Sequence, residues 1–167
     1  QAKIVIAGSG PDWSRCKAMI NDPEAFVIHE GDVYDPDVAK LFEEAQTAAK
    51  SGGLTSAAYT FFPHPARIVS PFGAPPLIQT LDQRLKEIEK CGIEVSIIEH
   101  FDESLAALPP NEYLDKVLAP LRPICIVVGY DFTFGRDRKG GADLLKELCL
   151  AKGIEAIIVP AQFHNGH

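Results

Sequence analysis

No apolar run in the sequence approaches the ~18 residues that cross a bilayer as a helix, so no membrane span is expected. No two cysteines stand as C-x-x-C, and Cys16, Cys91, Cys125 and Cys149 are scattered along the chain. All four are expected to be reduced packing residues in a cytoplasmic protein, Cys125 in an apolar strand and Cys91 and Cys149 in helical stretches. A basic excess is also missing. The net charge of −7 argues against a general nucleic-acid binder, while remaining compatible with one local basic pocket. No histidine pair has helical ligand spacing except His164 and His167 near the end, so no metal site built from protein ligands is expected. Internal repeats and low-complexity tracts are absent. The sequence opens on Gln1 rather than Met, so the native start is expected to be missing or trimmed, and no targeting signal is visible.

What is present has the balance of an ordinary globular protein, 46% apolar and 23% charged. A chain of 167 residues is expected to form one domain. At that size it buries roughly 70% of its unfolded surface without disulfide or metal staples.

Strand and helix signals alternate. Lys3–Ala7 and Ala25–Ile28 read as strands, with Asp12 or Ser14 able to cap a short helix between them. Asp35-Pro36-Asp37 introduces a helix over Val38–Lys50, with Val38, Leu41, Phe42, Ala45 and Ala48/Ala49 on its apolar stripe and Ser51-Gly52-Gly53 as its stop. Leu54–Phe62 is a strand. Thr80 caps a helix over Leu81–Cys91, its stripe predicted as Leu81, Leu85, Ile88 and Glu89. A strand over Glu94–His100, a short turn at Phe101–Leu105 and a helix from Pro109 to Leu118 follow. Ile124–Val128, a helix over Ala142–Lys152 and a strand over Ile154–Pro160 complete the pattern. Such alternation predicts an α/β fold, a parallel sheet with helices on both faces.

The densest chemistry lies in Gly129-Tyr130-Asp131-Phe132-Thr133-Phe134-Gly135-Arg136-Asp137-Arg138-Lys139-Gly140-Gly141, which follows a β-branched strand and precedes a helix. In α/β sheets such a loop sits at the carboxyl edge, where ligands bind. Gly129 and Gly135 permit close backbone approach or positive φ. Asp131 can accept from ribose hydroxyls or help to hold a metal ion. Arg136, Arg138 and Lys139 can face phosphate oxygens. Alternatively the loop is a βα turn with solvated charges. Phe61-Phe62-Pro63-His64-Pro65 ends another strand, and the two prolines hold His64 rigidly, either as a plain turn residue or at a ligand. Arg67–Pro76 is irregular and long enough for a flap. Gly8-Ser9-Gly10 outlines a dinucleotide loop, but Trp13 stands where a third glycine belongs, and Pro11 removes a backbone N–H.

From about Ala25 to His167 the sequence resembles the adenylyltransferase module of bacterial FAD synthetases, the bifunctional riboflavin kinase/FMN adenylyltransferases. Thr60-Phe61-Phe62-Pro63-His64-Pro65 carries the first match. The middle segment carries the second: Thr80-Leu81-x-x-Arg84-Leu85, Cys91-Gly92-Ile93-Glu94, Phe101-Asp102-Glu103-Ser104 and Leu108-Pro109-Pro110-Asn111-Glu112-Tyr113. The loop from Gly129 to Gly140 carries the third. The resemblance implies a Rossmann-like nucleotidyltransferase fold, transfer of AMP from ATP to FMN with Mg²⁺, and FAD and pyrophosphate as products. It implies nucleotide contacts at Asp32, Gly129, Asp131, Phe132, Arg136 and Arg138, and flavin contacts at Phe62, Pro63, His64 and Pro65. It implies one nucleotidyltransferase-like domain over residues 1–167, with the riboflavin kinase module outside it.

Two departures accompany the match. The family's G-x-F-D-G-x-H-x-G-H is reduced to Asp32, with Asp35 and Val38 at the histidine positions and Asp37 at the glycine between them. Those histidines contact the ATP phosphates and stabilise the transferring phosphoryl group; aspartate repels the same charge. The family's I-S-S-T-x-I-R segment is expected where the sequence ends in His164-Asn165-Gly166-His167. No catalytic residue is therefore assigned. The alternative to an FMN adenylyltransferase is a non-catalytic flavin or adenine-nucleotide binder on the same fold. A nicotinamide-dependent oxidoreductase built on Gly8-Ser9-Gly10 leaves everything after residue 60 unexplained.

Overall fold

The computed structural model describes residues 3–7, 24–28, 36–73, 76–77 and 79–161. The residues around Gly8-Ser9-Gly10, the helix expected after it, Cys16, Asp32, Asp35, His164 and His167 lie outside them.

Six strands form one sheet: β1 (Lys3–Ala7), β2 (Glu24–Ile28), β3 (Thr55–Phe62), β4 (Val95–His100), β5 (Pro123–Gly129) and β8 (Glu155–Val159). Their order is β1-β4-β3-β2-β5-β8, and every pairing is parallel. The chain therefore steps outward from β2 through β3 to β4, then resumes on the other side of β2 with β5 and β8. That reversal makes β2 and β5 a topological switch point, the kind of place where open α/β sheets bind ligands.

Crossover handedness decides which face each helix covers. Helix α1 (Pro36–Gly52) follows β2, and α3 (Leu81–Lys90) lies between β3 and β4. Leu41, Phe42, Ala45 and Ala49 of α1 and Ile88 of α3 pack with Ala58, Cys125 and Val127 on one face. After β4 come the single turn α4 (Glu103–Ala106) and α5 (Pro110–Tyr113), with π-helical geometry over Leu114–Leu118 and a 3₁₀ turn over Ala119–Leu121. Helix α6 (Ala142–Leu150) precedes β8. Leu114, Leu118, Leu145 and Cys149 from these elements pack with Tyr59, Ile97, Ile126 and Val128 on the opposite face. Strand alternation thus sends consecutive residues of β5 into different cores.

The expected elements recur with small shifts at their ends. Thr80 caps α3 as its sequence suggests: its hydroxyl accepts from the Gln83 N–H at 3.3 Å, while Gln83 Oε1 accepts from the Thr80 N–H at 2.9 Å. The α3 stripe is corrected. Arg84 and Ile88 are its buried residues, and Glu89 is exposed. The 84/88 spacing faces the sheet, where the Thr60 hydroxyl accepts from Arg84 at 2.9 Å. Cys125 and Cys149 are buried, and burial pushes both thiols up to about 11, so they behave as packing groups. The irregular stretch after Pro65 contains a one-turn helix, α2 (Ala66–Val69).

The loop after β5 also holds structure that its glycines hide. β6 (Thr133–Phe134) pairs antiparallel with β7 (Gly140–Gly141) around a 3₁₀ turn at Arg136–Arg138. Gly135 stands at φ +73°, and a Cβ there would lie 2.7 Å from the Pro110 backbone nitrogen. The loop can press this closely on the start of α5 only at glycine, and Arg136 N–H then donates to Leu108 O at 2.7 Å. Replacing Gly135 by alanine is expected to cost about 1–3 kcal/mol, read as a lower urea midpoint with unchanged slope.

Candidate functional site

Because all six strands run the same way, their following loops gather on one edge. Two cavities open among the described residues there, and His64 lines both.

The first has a volume of about 450 Å³. Phe61 comes from the end of β3, Phe101 from the end of β4, Tyr113 from α5, and Phe132 and Phe134 from the loop after β5. The rings brace one another. Phe61 meets Phe101 edge-on at 5.3 Å, Phe132 stacks on Phe134 at 5.5 Å, and Tyr113 lies tilted against Phe134 at 5.9 Å. His64, Thr133, Asp137 and Arg138 add polar groups to the lining. Apolar aromatic walls with a few fixed polar groups suit a planar heteroaromatic ring.

The second, of about 470 Å³, is lined by Phe62, Pro63, His64, Arg67, Leu77 and Thr80, among others. The Pro-His-Pro turn therefore divides the two spaces. His64 Nδ1 accepts from the Ala66 N–H at 3.1 Å. In the neutral ring that leaves the proton on Nε2, which makes His64 a hydrogen-bond donor. Partial burial, with Arg84 and Arg67 nearby, holds its pKa below the usual histidine value. Arg84 itself is buried, and that burial lowers its own pKa.

The residues expected at a nucleotide and those expected at a flavin mingle. Phe132 and Arg138 line the aromatic cavity together with His64 and Pro65, whereas Phe62 and Pro63 line the second one. Arg138 is fixed by its Nε–H donating to Thr133 Oγ1 at 2.9 Å. Arg136 and Lys139 line neither cavity, and both lie near the Asp137 carboxylate, at 4.0 and 3.6 Å. Asp137 and Arg138 hold φ of 58° and 55°, a left-handed pair of non-glycine residues of the kind concentrated at functional loops. Asp131 is exposed, and its Oδ1 lies 3.0 Å from where a Cβ on Gly129 would be. Gly129 thus lets the carboxylate fold back over the strand end.

Several residues stand in the matched motifs without a site role assigned from the sequence. Phe61 sits one position from the Phe62 expected to contact flavin; strand alternation signals it, since neighbours face opposite sides. Phe101, Tyr113 and Phe134 belong to separate elements that converge only on folding. Arg84 is hidden because a cation on a buried stripe breaks the amphipathic rule.

A buried carboxyl lies beneath the first cavity. Glu99 Oε2 accepts from the Tyr59 hydroxyl at 2.8 Å, and both residues are buried. Burial pushes Glu99 above the usual carboxylate range and Asp102 adds to that push, while Tyr59 and His100 oppose it. The folded protein thus holds this proton more tightly than the unfolded chain does. The resulting stability is full below the unfolded carboxylate pKa and is lost as pH rises through the folded one. Relative to Glu99→Gln, the wild-type urea midpoint should decline as pH is raised from about 4.5 across that window; parallel curves would contradict this assignment.

The model of the family described as FAD synthetase matches residues 39–167. A bifunctional riboflavin kinase/FMN adenylyltransferase from Bacillus subtilis (strain 168) is 35% identical over 102 residues, covering 60% of this chain and 32% of that protein. One from Escherichia coli (strain K12) is 27% identical over 116 residues, covering 69% of this chain and 37% of that protein. The chain therefore spans about a third of the length of these relatives. Among solved structures, a macrolide-efflux protein from Streptococcus pneumoniae superposes with a TM-score of 0.79 at 24% identity, over 96% of this chain and 51% of that one. Pantoate-beta-alanine ligase from Francisella tularensis, complexed with beta-gamma ATP and beta-alanine, gives 0.64 at 13% identity, over 99% of this chain and 69% of that one. At these identities the likeness is one of fold, and the fold is the Rossmann-like nucleotidyltransferase type. With the family model covering residues 39–167 and the family's loops meeting at one sheet edge, this chain belongs to the FAD synthetase family.

Proposed function

We propose that this chain is an FMN adenylyltransferase module, transferring AMP from ATP to FMN to give FAD and pyrophosphate. The aromatic cavity carries this reading: the Pro-His-Pro turn and the Gly-x-Asp-Phe-x-Phe-Gly loop jointly wall a space suited to a flavin ring. Phe132 and Phe134 offer stacking faces, and His64 offers its Nε2–H to a ring carbonyl or a phosphate oxygen.

In this reading Arg138, Arg136 and Lys139 supply positive charge on the phosphate side, while Gly129 and Asp131 sit at the nucleotide. An oxygen of the FMN phosphate attacks the α-phosphorus of ATP in line. The bond from that phosphorus to the bridging oxygen breaks, and pyrophosphate leaves with the electron pair. No side chain forms a covalent bond, so binding, alignment and charge neutralisation are the protein's tasks. In this reading Mg²⁺ arrives as an ion carried on the ATP phosphates. It would supply neutralisation of phosphate charge.

Asp35 and Val38, standing where the family pattern has histidines, favour a second reading: ligand binding without turnover. Each few kcal/mol of lost phosphoryl stabilisation slows transfer on the order of a hundredfold. The two readings separate in one assay of FMN, ATP and Mg²⁺ with FAD and pyrophosphate followed, and with FMN binding titrated alongside. FMN should bind, Phe134→Ala should weaken it about tenfold, and transfer should be slow. Asp35→His/Asp37→Gly/Val38→His should then raise the rate by on the order of a hundredfold. Binding with no turnover in either protein supports the second reading; no binding at all contradicts both.

A further inference from the structure

Glu99 does not line the aromatic cavity, yet two of the cavity walls depend on it. Its Oε2 takes the only proton that the Tyr59 hydroxyl can give, at 2.8 Å. The Tyr59 and Tyr113 side chains also interact, and both belong to the same core. Tyr113, Tyr59 and Glu99 thus form one buried chain of polar groups. They add side-chain links to the backbone pairing of β3 with β4 and to the apolar packing of α5 against both.

The Tyr113 end of this chain reaches the cavity, and the Tyr59 ring touches another of its walls. The Tyr113 ring is one wall and packs on Phe134, another. The Tyr59 ring meets Phe61, a third wall, edge-on at 5.4 Å and 84°. Glu99 is also the strand neighbour of Phe61, in register across β3 and β4. Tyr59 and Glu99 are both buried, so a polar atom left unpaired here is costly.

We propose that Glu99 is a positioning residue of the aromatic site, anchoring through Tyr59 the rings of Tyr113 and Phe61 against a bound planar heteroaromatic ligand. A fully satisfied buried network holds its members in one arrangement, whereas a broken one frees them to rotate. Removing the carboxyl leaves the Tyr59 O–H without an acceptor. The nearest relief is rotation of Tyr59, which releases Tyr113 and withdraws the edge contact from Phe61. The role asks for an acceptor oxygen and not for ionic charge. A glutamine carbonyl can accept the same bond.

The choice of ligand rests on the flavin reading; the hydrogen-bonded chain does not. FMN is titrated by its fluorescence into the wild type, Glu99→Gln, Glu99→Leu and Tyr59→Phe, with the Tyr113 hydroxyl proton followed by NMR in the same proteins. Glu99→Gln should bind FMN within about twofold of wild type and keep the Tyr113 hydroxyl signal. Glu99→Leu and Tyr59→Phe should each bind about tenfold more weakly and lose it. If Glu99→Leu does not fold, Tyr59→Phe carries the comparison. Equal affinity in all four proteins overturns the proposal, as does equal loss in Glu99→Gln and Glu99→Leu. A wild type that binds no FMN refutes the flavin reading instead. The anchor then stands if the hydroxyl signal survives Glu99→Gln and vanishes in Tyr59→Phe, and it falls if the wild type shows no such signal.

Discussion

Parallel pairing throughout the sheet is the constraint on which the rest of the molecule depends. Strands that all run one way must be joined by crossovers, and right-handed crossovers place α1 and α3 on one face and α5 and α6 on the other. The same direction sends every strand's carboxyl end to one edge. The Pro-His-Pro turn after β3, the Phe101 turn after β4 and the glycine loop after β5 become neighbours for that reason alone, although Phe61 and Phe134 are far apart in sequence. The cavity is a product of topology before it is a product of any motif.

Side-chain chemistry then makes the edge selective. The walls are aromatic and mutually braced, a lining whose chemistry suits a flat ring. Cations lie on the loop from Arg136 to Lys139, and Asp137 holds two of them near itself. Gly135 permits the close contact with Pro110 that sets this loop against α5. The site thus combines an apolar slot with a basic margin, the two requirements of a phosphorylated ring compound.

Much of this was legible in the sequence where the signal is local. β5 announces itself as a β-branched run closed by Gly129, and Thr80 with Gln83 marks the start of α3. The family motifs identified both loops that wall the cavity. What stayed hidden was non-local or broke a pattern. Arg84 occupies a core stripe because Thr60 offers it an acceptor across the α3–sheet interface. Glu99 reads as an ordinary polar residue near a strand end; only the folded chain puts Tyr59 beside it. The β6–β7 pair is two residues long on each side, too short for any periodicity. The π-helical turn at Leu114–Leu118 has no composition of its own.

The central claim is that the cavity walled by Phe61, Phe101, Tyr113, Phe132 and Phe134 receives the flavin ring. A crystal structure of the chain grown with FMN tests it most directly. The account predicts the isoalloxazine ring among those side chains, with His64 Nε2 within hydrogen-bond distance of a ring carbonyl or a phosphate oxygen. A ring seated instead in the second cavity, beside Arg67 and Leu77, would contradict it.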